Sequence, residues 1–349
     1  MKSNPLAEDL DHVLDHTRDL WDELRGQQIF ITGGTGFFGC WLLESFLWAN
    51  EKLNLKARAT VLTRSPDAFR IKAPHLTGNE AVTLLQGDVR AFDFPASTFS
   101  HVIHAATESS TANRPTPSNL LFYANLQGTM HVLELCQQCG TKKLLFTSSG
   151  AIYGKQPPEI THLSEDYQGA PLTTDVLSAY GESKRASEFL CIATAQSSVF
   201  EAKIARCFAF VGPYLPLNTT YAIGNFIRDA LNSRPITMKG DGTPYRSYLY
   251  AADLAIWLWT ILFRGSNGRA YNVGSDSELN IAQLANTVRN IINPNCEIIM
   301  AGKPEMNLLA NRYIPSISRA RLELGLDDCI KLNEAIRRTK EWYMERIHD

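Results

Sequence analysis

The sequence predicts an α/β protein built on a doubly wound parallel sheet, with a smaller lobe supplied mainly by the C-terminal part of the chain. Three observations carry this expectation. A short apolar run at 29–31 stops at glycines spaced Gly33, Gly36 and Gly39, and a second apolar run follows at 40–48, giving strand, glycine turn and helix. Further short apolar or β-branched runs then alternate with helical patterns, the order of βαβ units. The chain has 349 residues, 44% of them hydrophobic, enough for one large core or two lobes.

In chain order, the apolar residues of 6–24 recur near helical spacing with Asp9, Asp11, Asp15, Asp19 and Asp22 between them. This predicts an amphipathic N-terminal helix within 1–25 whose stripe covers either the nucleotide-binding lobe or a second subunit. The glycine turn comes next. A pyrophosphate reaches the free N–H groups of a helix N-terminus only where no Cβ intervenes, so Gly33 is read as the tight turn, Gly36 as the point of phosphate approach and Gly39 as the close contact of helix and strand. Dinucleotide binding on a Rossmann-type sheet is the resulting expectation.

A second strand at 59–62 ends at Arg64, where an acidic residue would suit the ribose of NAD and an arginine suits the 2′-phosphate of NADP. NADP is therefore favoured over NAD. A third strand at 82–85 leads to Asp88 and Val89, with Asp88 placed to accept from the adenine amino group. A fourth at 101–104 opens into the small residues of 105–110, beginning Ala105, Ala106 and Thr107 and continuing to Glu108 and Ser109. A helix over 119–139 contains Asn125 and Gly128. A fifth strand at 144–147 leads to Ser149, Gly150 and Ala151. A Pro-rich loop over 156–171 precedes a helix from 179 to about 196.

On that helix Tyr180 and Lys184 are four apart and project from one face. A phenol of ordinary pKa near 10 is no base at neutral pH, and a neighbouring ammonium with an oxidised nicotinamide would pull it down. Ser149, at a strand end, can hydrogen-bond the same substrate oxygen. The three make a proton shuttle beside a hydride acceptor.

Composition narrows the classes. A formal charge of −2 supplies no drive toward nucleic acid or anionic lipid. No apolar run approaches the roughly 18–20 residues of a membrane span, and the acidic 1–28 stretch is unlike a signal peptide, so a cytoplasmic protein is expected. The seven cysteines lie mostly in apolar segments, as packed reduced thiols do, and the Cys136/Cys139 pair has no second pair to complete a metal site. His12 and His16, four apart, are read as part of a solvated acidic face, and no metal is expected.

The chain resembles the extended short-chain dehydrogenase/reductases, the NAD(P)-dependent nucleotide-sugar epimerase/dehydratase family. The resemblance covers roughly 27–290 and rests on an ordered set: the turn at 32–39, the serine strand end at 148–154, Tyr180 with Lys184, and the segments 206–213 and 240–255. It implies a cofactor site of Gly33, Thr35, Gly36, Phe37, Phe38, Gly39, Arg64, Asp88, Val89, Ala105, Ala106, Thr107, Asn125, Thr147, Tyr180 and Lys184. It also implies a nucleoside-diphosphate sugar as substrate, with Arg246 on the diphosphate and Glu108, Ser109, Ser149, Gly150, Ala151, Tyr180, Ala209 and Asn225 about the sugar nucleotide. Phe226, Tyr245 and Arg312 are further candidate liners, and Asp253 is read as a helix cap. The division implied is 26–211 with 244–273 for the cofactor and 212–243 with 274–349 for the nucleotide sugar. A homodimer is expected by resemblance.

Two departures from the family pattern matter. Its dehydratases and decarboxylases carry a carboxylate two residues after the Ser/Thr, and many dehydratases an Asp one residue after it; here stand Ala151 and Gly150, which move no proton. Ala209 replaces an Asn common in the family. The expected activity is therefore epimerisation or 4-ketoreduction through Ser149, Tyr180 and Lys184. The alternatives are a 4,6-dehydratase or decarboxylase using an atypical carboxylate such as Glu108, and a non-catalytic NAD(P)-binding regulatory protein.

Overall fold

A computed structural model describes residues 4–109, 116–218, 221–302 and 310–347; Ser110, the end of the small-residue run, lies outside them. The strands are β1 Gln28–Thr32, β2 Arg58–Thr63, β3 Val82–Gln86, β4 His101–His104, β5 Lys143–Ser149, β6 Glu201–Cys207, β7 Phe210–Val211, β8 Ile236–Met238, β9 Tyr245–Arg246, β10 Leu249–Tyr250, β11 Ala270–Val273, β12 Leu279–Asn280, β13 Ile298–Met300 and β14 Arg312–Tyr313. The helices are α1 Ala7–Thr17, α2 Phe37–Lys52, α3 Pro66–Lys72, α4 Pro74–Thr77, α5 Ser118–Gln138, α6 Ala179–Gln196, α7 Ala222–Leu231, α8 Ala251–Arg264, α9 Ile281–Ile292, α10 Ser318–Leu324 and α11 Leu332–Ile347.

Seven strands form one sheet in the order β11-β6-β5-β4-β1-β2-β3, and every pairing in it is parallel. Parallel strands need crossovers, and helices on both faces bury them, which is why β1, β4 and β5 read as continuous apolar runs. The chain order reverses between β1 and β4. A crevice opens at the carboxyl ends of these two strands, the place where open α/β sheets take ligands.

Helix α8 is buried from Ala251 to Phe263 on every side. A helix apolar all round needs cover all round, and α8 gets it from β5 and β6 on one side and from α1 and α2 on the other. The N-terminal stripe therefore closes over the sheet domain of its own chain, with Leu10, Val13 and Leu14 buried at about 1.5–3 kcal/mol each. The helix is shorter than 1–25: it ends at Thr17, and a single 3-10 turn, Trp21–Leu24, continues the cover.

The acidic face of α1 is not wholly solvated. Asp9 is buried, accepts from the Tyr250 hydroxyl at 2.6 Å and pairs with Arg338 at 2.5 Å, and burial pushes its carboxyl up. His12 Nε2 lies 3.0 Å from Oδ1 of Asp253, which is fully buried in the first turn of α8 and also accepts the Ile330 N–H at 2.8 Å. His16 and Cys329 stand beside His12 with their donor atoms within 4.8 Å of one another.

The C-terminal chain builds smaller units. β8 and β13 pair in parallel, and β9 lies between antiparallel β12 and parallel β14. Helices α7, α9 and α11 pack on one another beneath them. The 156–171 loop is tied to this part by the Leu163 N–H donating to the Ile314 carbonyl at 2.8 Å.

Candidate active site

At the glycine turn the three positions differ as expected. Gly33 has φ +72°, and a Cβ there would stand 2.4 Å from the Ala105 carbonyl carbon, so only glycine fits between β1 and the β4 end. A Cβ on Gly39 would lie 2.2 Å from Gly34 Cα, which fixes how closely α2 meets the turn. Gly36 is the open one: only the Gly33 carbonyl oxygen, at 3.4 Å, comes within 4 Å of such a Cβ. Gly36 is also the N-cap of α2, and no side chain caps that helix. Unclaimed N–H groups at a helix N-terminus beside an open backbone suit a pyrophosphate.

The crevice widens into a cavity of about 1380 Å³, above the roughly 300–1,000 Å³ of ordinary small-molecule sites and large enough for a dinucleotide with a second ligand. Gly33, Thr35, Gly36, Phe37, Phe38, Arg64, Asp88, Val89, Ala105, Ala106, Thr107, Asn125 and Thr147, all expected at the cofactor, line it. Gly39 does not; it packs behind the turn. At the far end, Asp88 is gripped by Arg90 through Nε and Nη2, each at 2.8 Å, which pulls its carboxyl down to about 2. Arg64 Nη1 stands 3.6 Å from Glu108 Oε2 and Lys72 Nζ donates to the Thr35 carbonyl at 2.7 Å, so three cations frame this end.

Asn125, on the cavity wall, also holds the backbone in place. Its Oδ1 receives the Glu108 N–H at 2.7 Å and the Thr107 hydroxyl at 3.2 Å, and its Nδ2 donates to the Glu108 carbonyl and to Ser183 Oγ. The amide is fully committed, and it bolts the 105–108 segment to α6.

Beneath the strand ends, His104 is buried between Thr32 Oγ1 at 2.8 Å and Thr129 Oγ1 at 3.1 Å, and burial pulls its pKa down to about 3. It is a neutral core histidine.

At the other end of the crevice, β5 delivers Ser149 and α6 delivers Tyr180 and Lys184 to one wall of the cavity. Lys184 is buried; its Nζ donates to the Thr147 carbonyl at 2.8 Å and lies 4.8 Å from the centre of the Phe146 ring and 6.0 Å from that of Tyr180. Burial lowers its pKa to about 8. Tyr180 faces the hydroxyls of Ser149 and Thr107, which favour its ionised form, yet burial outweighs them and holds the phenol above its ordinary value. The expected lowering of Tyr180 includes the positive charge of an oxidised nicotinamide as well as Lys184, and the protein's own groups leave the phenol above its ordinary value.

Several sugar-side expectations need correction. Glu108 lines the cavity, but its carboxylate turns to Arg64 and Thr116. Gly150 does not line it; Tyr313 and Phe208 stand over it, both within 2.7 Å of where its Cβ would be. Of α7 and its approach, Tyr221, Ala222 and Ile223 reach the cavity, whereas Asn225 receives Arg228 Nη1 at 3.0 Å and Phe226 is core. Arg312 pairs with Glu278 and lies over the Tyr245 ring at 4.4 Å; the lining residue is its neighbour Tyr313. Ser109, Ala151, Ala209 and Arg246 do line the cavity. Tyr313, Phe208, Tyr248 and Tyr221 were missed. None of them had a signal in local periodicity; Tyr313 lies on a two-residue strand whose face is set by pairing with β9.

Buried thiols complete the inventory. Cys136 is pushed up to about 12 and Cys207 likewise, both by burial, so neither is a nucleophile at neutral pH. No described helix is long and apolar enough to cross a membrane.

Residues 29–274 match the model of the NAD dependent epimerase/dehydratase family. Among curated proteins, the chain is 28% identical over 320 residues to UDP-glucuronic acid decarboxylase 6 of Arabidopsis thaliana, covering 92% of this chain and 90% of that one. It is 26% identical over 321 residues to UDP-glucuronic acid decarboxylase 1 of Xenopus tropicalis, covering 92% and 73%. The fold is similar to that of UDP-glucose 4-epimerase of Thermotoga maritima, solved with UDP-glucose, with a TM-score of 0.78 at 20% identity, over 92% of this chain and 99% of that one.

Proposed function

Since the chain belongs to the NAD dependent epimerase/dehydratase family, we propose that it moves a hydride at a ring carbon, carbon 4, of a nucleoside-diphosphate sugar, as an epimerase or a 4-ketoreductase. The observation that carries this reading is the meeting of Ser149, Tyr180 and Lys184 on one cavity wall with Gly150 and Ala151 beside them. The first three can move one proton and hold one oxygen; the last two add no acid or base.

When bound, the nicotinamide cofactor takes up or returns the hydrogen on carbon as hydride. Tyr180 takes the hydroxyl proton in the oxidative direction and gives it back in the reductive one. Ser149 hydrogen-bonds the reacting oxygen. Lys184, charged below about pH 8, holds the cofactor's ribose and, with the positive charge of an oxidised ring, offsets the burial that raises Tyr180. An epimerase returns the hydride to the opposite face of the intermediate ketone, and a reductase makes a single delivery. Arg246 is assigned to the diphosphate, Gly36 with the α2 N-terminus to the dinucleotide pyrophosphate, and Arg64 to a 2′-phosphate, which favours NADP.

The decarboxylase names of the curated relatives support a second reading, in which a 4-ketone lets a uronate lose carbon dioxide. Against it, the carboxylates lining the cavity among the described residues are Asp88 and Glu108, both at the adenosine end beside arginines. The three-residue set also argues against a purely regulatory protein. The chain is further read as a homodimer, because Tyr123 and Met130, seven apart on α5, and Phe189 on α6 leave large apolar side chains exposed on two helices that pack together.

A panel of nucleoside-diphosphate hexoses, uronates and 4-keto sugars, incubated with NAD(P)+ or NAD(P)H and followed by chromatography that resolves epimers coupled to mass spectrometry, tests this. An isomer of unchanged mass or a product richer by two hydrogens is expected. A product lighter by carbon dioxide or water would replace this reading with the second.

A further inference from the structure

Where α1 passes the start of α8, two imidazoles and a thiol come together. His12 and His16 are one turn apart on α1 with their ring centres 4.3 Å from each other, and Cys329 arrives from the stretch between α10 and α11. One donor atom of each residue lies within 4.8 Å of those of the other two. His12 is half-buried, and His16 and Cys329 are exposed. Cys329 is the exposed thiol of a chain whose other six cysteines are buried. The sequence pairs the two histidines; the fold adds the sulfur. None of the three lines the cavity.

Hydrogen bonds fix the tautomer of each ring. His12 Nε2 lies 3.0 Å from Asp253 Oδ1, and His16 Nδ1 lies 2.9 Å from the His12 carbonyl oxygen. A carboxylate and a carbonyl oxygen accept and do not donate, so each of these nitrogens carries the ring proton and the other nitrogen of each neutral ring keeps its lone pair. Histidines that bind a metal are held in the same way, with the spare N–H given to a carboxylate or a backbone carbonyl. The thiol touches the Asp327 carbonyl oxygen at 3.8 Å.

Charge gives a second, independent reason. Asp253 is fully buried, its two oxygens are taken by the His12 ring and the Ile330 N–H, and among the described residues no lysine or arginine pairs with it. The nearby Asp327 and Asp328 are matched by Arg321 and Lys331. A buried carboxylate without a cation is costly, and a divalent ion on the His12 ring balances it. Burial and the charges of Asp253, Asp327 and Asp328 push the Cys329 thiol up, so a metal that binds there displaces the thiol proton to solvent.

We propose that His12, His16 and Cys329 bind a thiophilic divalent cation of the zinc type, which ties α1 to the stretch between α10 and α11. Two imidazoles and a thiolate are a donor set that zinc takes, with water in the fourth position. Zinc–ligand distances of about 2.0–2.3 Å set tetrahedral donors about 3.3–3.6 Å apart. Donors up to 4.8 Å apart therefore close by roughly one ångström at most, a movement within reach of the exposed His16 and Cys329 side chains by rotation. The ion's part is structural, and the proposal is independent of the chemistry assigned to the cavity.

The experiment uses the full chain, reduced, stripped of metal with a chelator and then freed of it, beside Cys329→Ser and His16→Ala. Both substitutions are at exposed positions, so the fold is retained, and metal-free melting curves check this. Cobalt(II) is titrated first as a spectroscopic stand-in, and zinc affinity is read by competition with a chromophoric chelator. Wild type is expected to take up one equivalent with a thiolate-to-cobalt charge-transfer band that zinc abolishes. Cys329→Ser loses the band, and each variant binds zinc at least about tenfold more weakly. At free zinc about 100 times the wild-type Kd, the wild-type Tm rises by roughly 4 °C and that of each variant by about half as much or less. Alkylation of Cys329, mapped by peptide mass spectrometry, needs no variant and is expected to slow when zinc is bound. A wild type without the band, a band that survives in Cys329→Ser, equal zinc affinity in His16→Ala, or alkylation of Cys329 unslowed at saturating zinc each overturns the proposal.

Discussion

The two ends of the cavity are put together from different distances along the chain. The glycine end is made by one turn, Gly33 to Gly39, with each glycine's packing set by neighbours a few residues away or on the adjoining strand end. The opposite end draws Ser149 from β5, Phe208 from the end of β6, Arg246 from β9 and Tyr313 from β14. The first is a motif; the second exists only after the lobe has folded onto the sheet. A change at the first end is therefore expected to act on folding or cofactor affinity, and one at the second on turnover and specificity.

The glycines break that comparison most severely. Gly39→Val places a branched side chain where even a Cβ would be 2.2 Å from Gly34 Cα, and overpacking against backbone costs several kcal/mol, more than side-chain rotation can relieve. Loss of soluble, cooperatively melting protein is expected. Gly36→Ala is the control: with only one atom within 4 Å, it is expected to melt as wild type does while binding cofactor at least about tenfold more weakly. Equal cofactor affinity for Gly36→Ala and wild type, by calorimetry, would remove the pyrophosphate from that place.

Tyr180→Phe comes next. The variant keeps the ring beside Lys184 and loses the proton carrier, so kcat is expected to fall by about 10²–10⁴-fold with cofactor affinity unchanged. Stopped-time product assays with a parallel binding titration separate the two quantities.

The same distinction explains what the sequence made legible. The strand runs at 29–31, 59–62, 82–85, 101–104 and 144–147 and the helix over 179–196 follow from local periodicity, and they match β1 to β5 and α6. The N-terminal helix was visible as a stripe, but its cover was not, because α8 shows only that it is apolar all round and not what lies over it. Asp9 and His12 read as solvated for the same reason: Tyr250, Asp253 and Arg338, which pair with them, lie more than 240 residues away. At the site, Ser149, Tyr180 and Lys184 sit on regular elements whose ends point into the crevice. Tyr313 belongs to a two-residue strand whose face is set by its partner β9, and no periodicity runs long enough to show it.

Arg64 sharpens the comparison from the adenosine end, where a strand-end residue also depends on a distant one. Its partner Glu108 would compete with the proposed 2′-phosphate for the guanidinium. Arg64→Ala is expected to reduce the preference for NADPH over NADH by about ten- to a hundredfold, the worth of one charge-assisted hydrogen bond. Glu108→Gln should move it modestly the other way. Unchanged cofactor ratios in Arg64→Ala would leave the 2′-phosphate to Arg90 or Lys72.

The smallest effect is expected where the two ends meet. His104 joins β1 to α5 through Thr32 and Thr129, and burial lowers its pKa from 6.5 to about 3. The folded protein therefore keeps this ring neutral between those values while the unfolded chain binds a proton, so stability from this group is complete above pH 6.5 and is lost as the pH falls toward 3. Burial raises the carboxyls of Asp9 and Glu165, which act in the opposite sense and are common to both proteins in a paired comparison. The Tm of wild type is expected to fall more steeply with acid than that of His104→Gln across this window, whatever the offset between them at pH 7. Parallel slopes would mean that the ring accepts its proton in place, and that the seam between the local and the assembled halves is looser than its two threonine bonds imply.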